Sequence, residues 1–404
     1  MSKIDSLKRK TYIEYLLPFF LLFSQYVIYG VPISTLLLAV AAILTISKNG
    51  LKIYRHYIPF VIFFSYALLH DICAVLFGGS DPNTATNRLL EYTVNYILIF
   101  VVCSVPLNED KLFSVWKIAT VLYSAGLIYH LVLINVFNEP VQIIQIMPLL
   151  RDLNLNEPYR PRSFFNEPSY ISSALLPMLF LSLKRKNFFW AALTTGMMFL
   201  TTSTAGVVLA MLMWGLNYFF GSEKKKKLWP IFVFVALFVV FTTSELFLNS
   251  YEKLQSVLSG GSTFIPRVVI GLEIVKTLPL WEFLTGTLYN EVADYIYMNS
   301  ETLSNQFILR YWSISRSAIF LNGISSLIFR YGLVGLFMFF LTYKGMLFKK
   351  NFGGRIFAII TLVSLFANSE ILNAPYYINT MILLLYLNNI ECKEDCDEKI
   401  SLDR

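Results

Sequence analysis

Residues 184–227 read KRKNFFWAALTTGMMFLTTSTAGVVLAMLMWGLNYFFGSEKKKK. Two apolar runs, 188–201 and 204–220, stand back to back with a Thr/Ser turn between them and a basic cluster at each outer end. Such a segment crosses a membrane and returns, because Lys and Arg mark the loops that stay in the cytoplasm. The same reading along the chain places twelve spans, at 12–29, 32–47, 57–77, 89–105, 112–136, 169–183, 188–201, 204–220, 229–248, 318–342, 356–372 and 376–390. Every gap then expected on the cytoplasmic side carries a basic residue, and both termini fall on that side.

Composition agrees. Of 404 residues, 56% are hydrophobic and 15% charged, with mean hydropathy +0.59. Soluble domains sit nearer about 45–50% apolar and about 25% charged. The expected class is an all-α integral membrane protein, one polytopic domain over 1–404. The net charge of +7 follows from topology and is no sign of a nucleic-acid partner. Met1 to Lys10 is basic, but the apolar run after it outlasts a signal peptide and offers no small-residue cleavage pattern, so it reads as a retained first span. Cys392 and Cys396 lie in an acidic tail with no His or further Cys beside them, which argues for reduced thiols and against zinc.

The basic residues are sorted by type as well as by side. Counted in or beside the gaps, the inward set holds 18 Lys and 5 Arg and the outward set 2 Lys and 8 Arg. Translocated loops should be poor in both. Arg offers a rigid fork that grips phosphate bidentately, whereas Lys is a hydrated point charge. An outward face that keeps Arg and drops Lys points to a phosphorylated ligand.

Two outward gaps are long, 137–168 and 249–317. In the first, Val141 to Leu150 suits a helix lying in the interface. In the second, Pro266 to Leu278 reads as an amphipathic helix with Arg267 in its first turn. The first gap ends in Arg160-Pro161-Arg162-Ser163-Phe164-Phe165-Asn166-Glu167-Pro168-Ser169-Tyr170. Pro168 suits the first turn of a helix and Asn166 its N-cap. Glu167 then stands at a helix start, where the dipole favours its charge. Two readings stand for it: a carboxylate able to accept a proton, or a capped span with an interfacial ion pair to Arg160 and Arg162.

The second gap contributes Arg267, Glu273, Lys276, Arg310 and Arg316, and Arg330 follows about halfway along the next span. An Arg at that depth is costly and faces either a cavity or an acid on a neighbouring span. Arg267 has an equal claim as a lipid-headgroup anchor. The outward aromatics, Tyr170 among them, suit stacking on sugar faces or the aromatic belt of any membrane interface. No Walker loop, dinucleotide fingerprint or metal-spaced His/Cys cluster is present, and His56, His70 and His130 are scattered. Acid–base work on the outward face is therefore expected of Glu, Asp or Tyr.

In Arg162-Ser-Phe-Phe-Asn-Glu167-Pro168-Ser169, in the Thr/Ser turn of Leu200 to Gly206, in Pro266-Arg267 with Leu278-Pro279-Leu280 and Thr285-Gly286-Thr287, and in Asn322 with Arg330-Tyr331-Gly332-Leu333-Val334-Gly335, the chain resembles the O-antigen polymerase and ligase superfamily of bacterial inner membranes. The resemblance covers about residues 160–340 and rests on motif order and spacing. It implies a GT-C-like membrane glycosyltransferase acting at the periplasmic face on undecaprenyl-pyrophosphate-linked oligosaccharides, with membrane lipid and a chain-length regulator as partners. No metal or nucleotide cofactor is implied, since the lipid pyrophosphate already activates the donor. Ligases of that family place a His just before the Asn of the last motif. Phe320 and Leu321 stand there in this chain, so a polymerase is expected, with ligase or lipid-linked oligosaccharide flippase as alternatives. Arg162 and Arg267, helped by Arg160 or Arg310, are the expected clamp on the pyrophosphate. Glu167 is the expected base, and Tyr170, Arg316, Asn322 and Arg330 complete the substrate-binding set.

Overall fold

A computed structural model of the chain describes residues 12–51, 53–78, 82–105, 107–148, 159–220, 270–289, 292–301, 321–349, 353–367 and 373–402. The fold is almost wholly helical. In order come α1 (Ile13–Phe23), a hairpin of β1 (Val27–Ile28) and β2 (Val31–Pro32), α2 (Ile33–Asn49), α3 (Ile58–Phe77), α4 (Pro82–Val102), α5 (Glu109–Asn135), α6 (Pro168–Lys184), α7 (Phe188–Leu200) and α8 (Thr204–Phe220). The short helices α9 (Ile270–Thr277), α10 (Leu280–Thr285) and α11 (Val292–Met298) follow, then α12 (Gly323–Phe348), α13 (Arg355–Ala367) and α14 (Ala374–Leu402).

Local chemistry explains many of these ends. Asn108, Asn187 and Asn322 each cap a helix by accepting from the N–H three residues on, those of Lys111, Trp190 and Ser325. Pro168 opens α6, where a missing N–H costs nothing. Tyr29 and Gly30, both at positive φ (50° and 81°), form the two-residue turn of the hairpin.

Among the described residues, three segments are long and apolar enough to cross a membrane: Arg55–Phe77, Glu109–Asn135 and Gly323–Phe348. Their outer faces expose large apolar side chains such as Leu69, Ile118 and Phe337, while Glu14, Asn95, His130 and Thr361 are buried. Contiguous apolar surface around a polar-containing interior is the pattern of a protein solvated by lipid. The molecule is an all-α protein of membrane type.

Of the twelve expected spans, 229–248 lies outside the described residues, as do 318–320 and 368–372 of two others, and the described part of each remaining span contains a helix, though several are short. The span expected at 12–29 stops as a helix at Phe23, and the chain turns back through the hairpin. Segment 141–148 is not the expected interfacial helix. It is irregular, with bends at 146–148, and has Val141 and Ile143 buried and Gln142 exposed between them. The Ile144 N–H donates to the Ser163 carbonyl and the Ile146 N–H to the Tyr26 hydroxyl, bonds that a helix would have made internally.

The helices α5 and α6 run antiparallel, and charge is sorted along them. At one end Lys184 meets Glu109 at 2.6 Å, Arg185 meets Asp110 at 2.7 Å, and the Asn108 N–H donates to buried Glu14 at 3.1 Å. The 159–170 arm sits at the other end. A second apolar cluster, built of Ile274, Leu278, Tyr295, Ile296, Leu321 and Phe329, ties α9 and α11 to the start of α12.

Candidate functional site

The arm 160–170 is bolted to α5 and α1 from both sides. Phe165 is fully buried and stands edge-on to Tyr123, ring centroids 5.0 Å apart. Gln25 accepts from the Asn166 N–H at 2.6 Å and donates to the Phe164 carbonyl at 3.5 Å. Ser163 donates to the Tyr123 carbonyl at 3.1 Å and takes a left-handed φ of 51°. Gly126 makes the seat possible, because a β-carbon there would collide with Ser163 Oγ and meet the Phe164 ring at 2.8 Å. Strained backbone at a non-glycine residue persists where surrounding structure over-determines it, commonly at functional sites.

Arg162 is buried, and its guanidinium donates to the Asn166 carbonyl at 3.5 Å. Arg160 is half-buried beside it in the chain. The N-cap of α6 is Glu167 rather than Asn166, whose own N–H is spent on Gln25. The Glu167 carboxylate accepts the Ser169 hydroxyl at 3.0 Å, and no ion pair joins it to Arg160 or Arg162 among the described residues. Among the described residues the expected interfacial ion pair is thus not formed, and the carboxylate keeps capacity to accept from a further hydroxyl. Tyr170 is half-buried in the first turn of α6.

The Thr/Ser turn stands directly behind this helix start. Ser172 of α6 and Thr201 share a hydrogen bond at 3.0 Å, and Thr201 accepts from the Ser203 N–H at 3.2 Å. Thr202 takes φ 56°, and Gly206 leaves the space that Ser172 fills. Two motifs separated by a span in sequence are thus one packed unit.

The remaining motifs meet at a break in α12. Gly332 adopts φ 66° and ψ −172°, interrupting the helix. The Thr287 N–H donates to the Phe329 carbonyl at 2.8 Å, and the Tyr66 hydroxyl reaches the Thr285 and Tyr331 carbonyls at 2.8 and 3.0 Å. A β-carbon at Gly286 or Gly332 would strike the opposing backbone, so both close approaches require glycine. Arg330 stands just before the break and acts electrostatically on Asp71 of α3, which accepts the Tyr331 hydroxyl at 3.1 Å. Asp71 is thus an acid on a neighbouring helix within electrostatic reach of Arg330, as one of the two expected alternatives has it. Asp71 and Tyr331 also line a cavity of about 230 Å³ walled by Phe64, Tyr92, Tyr96 and Phe100. Asn322 is buried and its side chain is spent on capping α12. Outside the long apolar helices, burial pushes the Glu282 carboxyl up, and burial together with Glu282 raises the Tyr295 phenol.

Arg267, Arg310 and Arg316 lie outside the described residues. Sequence reasoning missed Gln25, His130, His70 and Asp71. His130 accepts from the N–H groups of Arg162 and Ser163, and the His70 ring donates to the Gly286 carbonyl. Depth alone was a usable signal, since ionisable groups inside apolar helices are costly and tend to face a partner. Among the described residues no group of three His, Cys, Asp or Glu could hold a metal ion. Comparison with family models, curated proteins and solved structures finds no match to this chain.

Proposed function

We propose that the chain is a polysaccharide polymerase of a bacterial inner membrane, GT-C-like with about twelve spans, its 159–170 arm facing the periplasm. It transfers glycan from undecaprenyl pyrophosphate to a lipid-linked repeat unit. The observation that carries the reading is the arm itself. A buried arginine and a carboxylate that accepts the Ser169 hydroxyl are held on strained, tightly packed backbone at the end of α5 and α6 opposite the Lys184–Arg185 cluster. Arg162, with Arg267 and help from Arg160 or Arg310, neutralises the pyrophosphate leaving group as charge develops, an effect often among the largest in catalysis. Glu167 takes the proton from the acceptor hydroxyl that attacks the anomeric carbon. The bond from that carbon to the pyrophosphate oxygen breaks as the new glycosidic bond forms, and the lipid pyrophosphate departs with the electron pair.

The test is the lipopolysaccharide ladder of a deletion strain complemented with variants. Core bearing a single repeat unit supports the polymerase. Bare core with polymer retained on lipid carrier indicates a ligase, and repeat units trapped on the cytoplasmic side indicate a flippase.

A further inference from the structure

His130 sits one turn short of the end of α5 and is 1% exposed. Its Nδ1 accepts from the backbone N–H of Arg162 at 3.3 Å and of Ser163 at 3.1 Å. The other ring nitrogen donates to the Gln142 carbonyl. One imidazole therefore ties the arm at Arg162 and Ser163, and the neighbouring irregular segment at Gln142, to the helix beneath. A ring nitrogen that accepts two N–H bonds carries no proton, so this arrangement requires the neutral ring with its hydrogen on Nε2.

Protonation would undo the arrangement in two ways. It turns the acceptor into a donor aimed at two N–H groups, and it adds a positive charge beside the Arg162 guanidinium, which already acts on the ring. The charged and titratable groups facing His130 are Arg162 on the arm and, on its own helix, the Tyr129 phenol, ring centroids 6.0 Å apart. No carboxylate among the described residues offsets the new charge.

We infer that His130 is a positioning residue that holds Arg162 and Ser163 in place only while its imidazole is neutral, so that acid on the outer side releases the arm. The functional meaning rests on reading the arm as the polymerase site. The lock itself does not.

The test uses the full-length protein in lipid nanodiscs and follows amide hydrogen exchange of peptides covering 160–166. Rates, corrected for intrinsic chemistry, are compared at about pH 7.5 and about pH 4, the lower value set well below the ordinary imidazole value of about 6.5 because the Arg162 charge and the two accepted N–H bonds oppose protonation. The wild-type arm should be protected at the higher pH and lose about tenfold or more at the lower, as two hydrogen bonds of roughly 1 kcal/mol each are lost. In His130→Asn the amide oxygen stands where Nδ1 stood and does not titrate, so protection should persist at both pH values. His130→Leu should be unprotected at both while peptides from 109–122 of α5 remain protected, which shows that the helix still folds. Wild-type protection in His130→Leu, or the same acid loss in His130→Asn as in wild type, overturns the inference. Ladders are read in parallel. An arm released by acid or by Leu with undiminished polymer leaves the lock standing and removes the arm from the polymerase mechanism.

Discussion

Replacing Gly126 by Ala should destabilise the protein, against the ordinary preference of helices for Ala. In an open helical position that exchange stabilises by roughly 0.5–1 kcal/mol. Here the new methyl would overlap Ser163 Oγ, meet the Phe164 ring at 2.8 Å and press Ile144 at 3.2 Å. Ser163 cannot simply rotate away, because its hydroxyl is donated to the Tyr123 carbonyl and its N–H to His130. Lifting the arm forfeits those two bonds, about 1 kcal/mol each, and overpacking adds about 1–3 kcal/mol. After the gain in helix propensity the net loss is about 2–4 kcal/mol. Gly196 of α7 is the internal control, since nothing lies within 4 Å of a β-carbon there. Thermal unfolding of both variants in nanodiscs reads the difference: Gly126→Ala should melt below wild type and Gly196→Ala at or above it. A Gly126→Ala protein as stable as Gly196→Ala would refute the seat and the account of the arm built on it. If the arm carries the chemistry, Gly126→Ala should also shorten the polysaccharide ladder, because a displacement of about 1 Å can cost about 10²-fold in rate.

Glu167→Gln should leave mainly single-repeat glycan, with a rate loss of about 10²–10⁴, while Glu167→Asp retains some polymer; near-normal ladders for Gln at matched protein level would take Glu167 out of the mechanism. Arg162→Lys keeps the charge but loses the planar fork, so polymer should fall severely at unchanged abundance, as read on the same gels. Asp71→Asn should lower the melting temperature by removing an acid that acts on the Arg330 charge, and the double change Asp71→Asn with Arg330→Met should recover part of the loss; simple additivity in that cycle counts against the coupling. Because burial raises the Glu282 carboxyl in the folded chain, the native state binds more protons than the unfolded one between the unfolded value of about 4.5 and the raised value. Its contribution is thus lost as pH rises through that window, and Glu282→Gln should melt above wild type at neutral pH, with the gap closing below about pH 4; no gap at either pH would show the carboxyl to be well solvated.

Sequence by itself determined the class and the rough placement of helices. Hydropathy reports burial from water, and a lipid-solvated chain must satisfy its backbone internally, so apolar runs such as 57–77 and 112–136 become helices whatever their neighbours are. Pro168 opened α6 as its chemistry requires, and the sorting of Lys and Arg anticipated that Lys184–Arg185 and the 160–170 arm lie at opposite ends of one helix. Length was less legible. The run 12–29 is mainly apolar, yet its last residues form a hairpin whose turn depends on the positive φ of Tyr29 and Gly30 rather than on hydropathy. The partners of the site were decided by tertiary structure alone. Hydropathy gives a residue's depth but not the face it turns to its neighbours, and apolar helices are nearly interchangeable until close approaches select among them. Glycines at 126, 206, 286 and 332 supply those approaches. Through them His130 comes under Arg162, Gln25 reaches Asn166 across 141 positions, and Asp71 finds Tyr331 across 260. Those distances along the chain carry no local signal, because the free energy that selects each pairing arises only once both helices are packed.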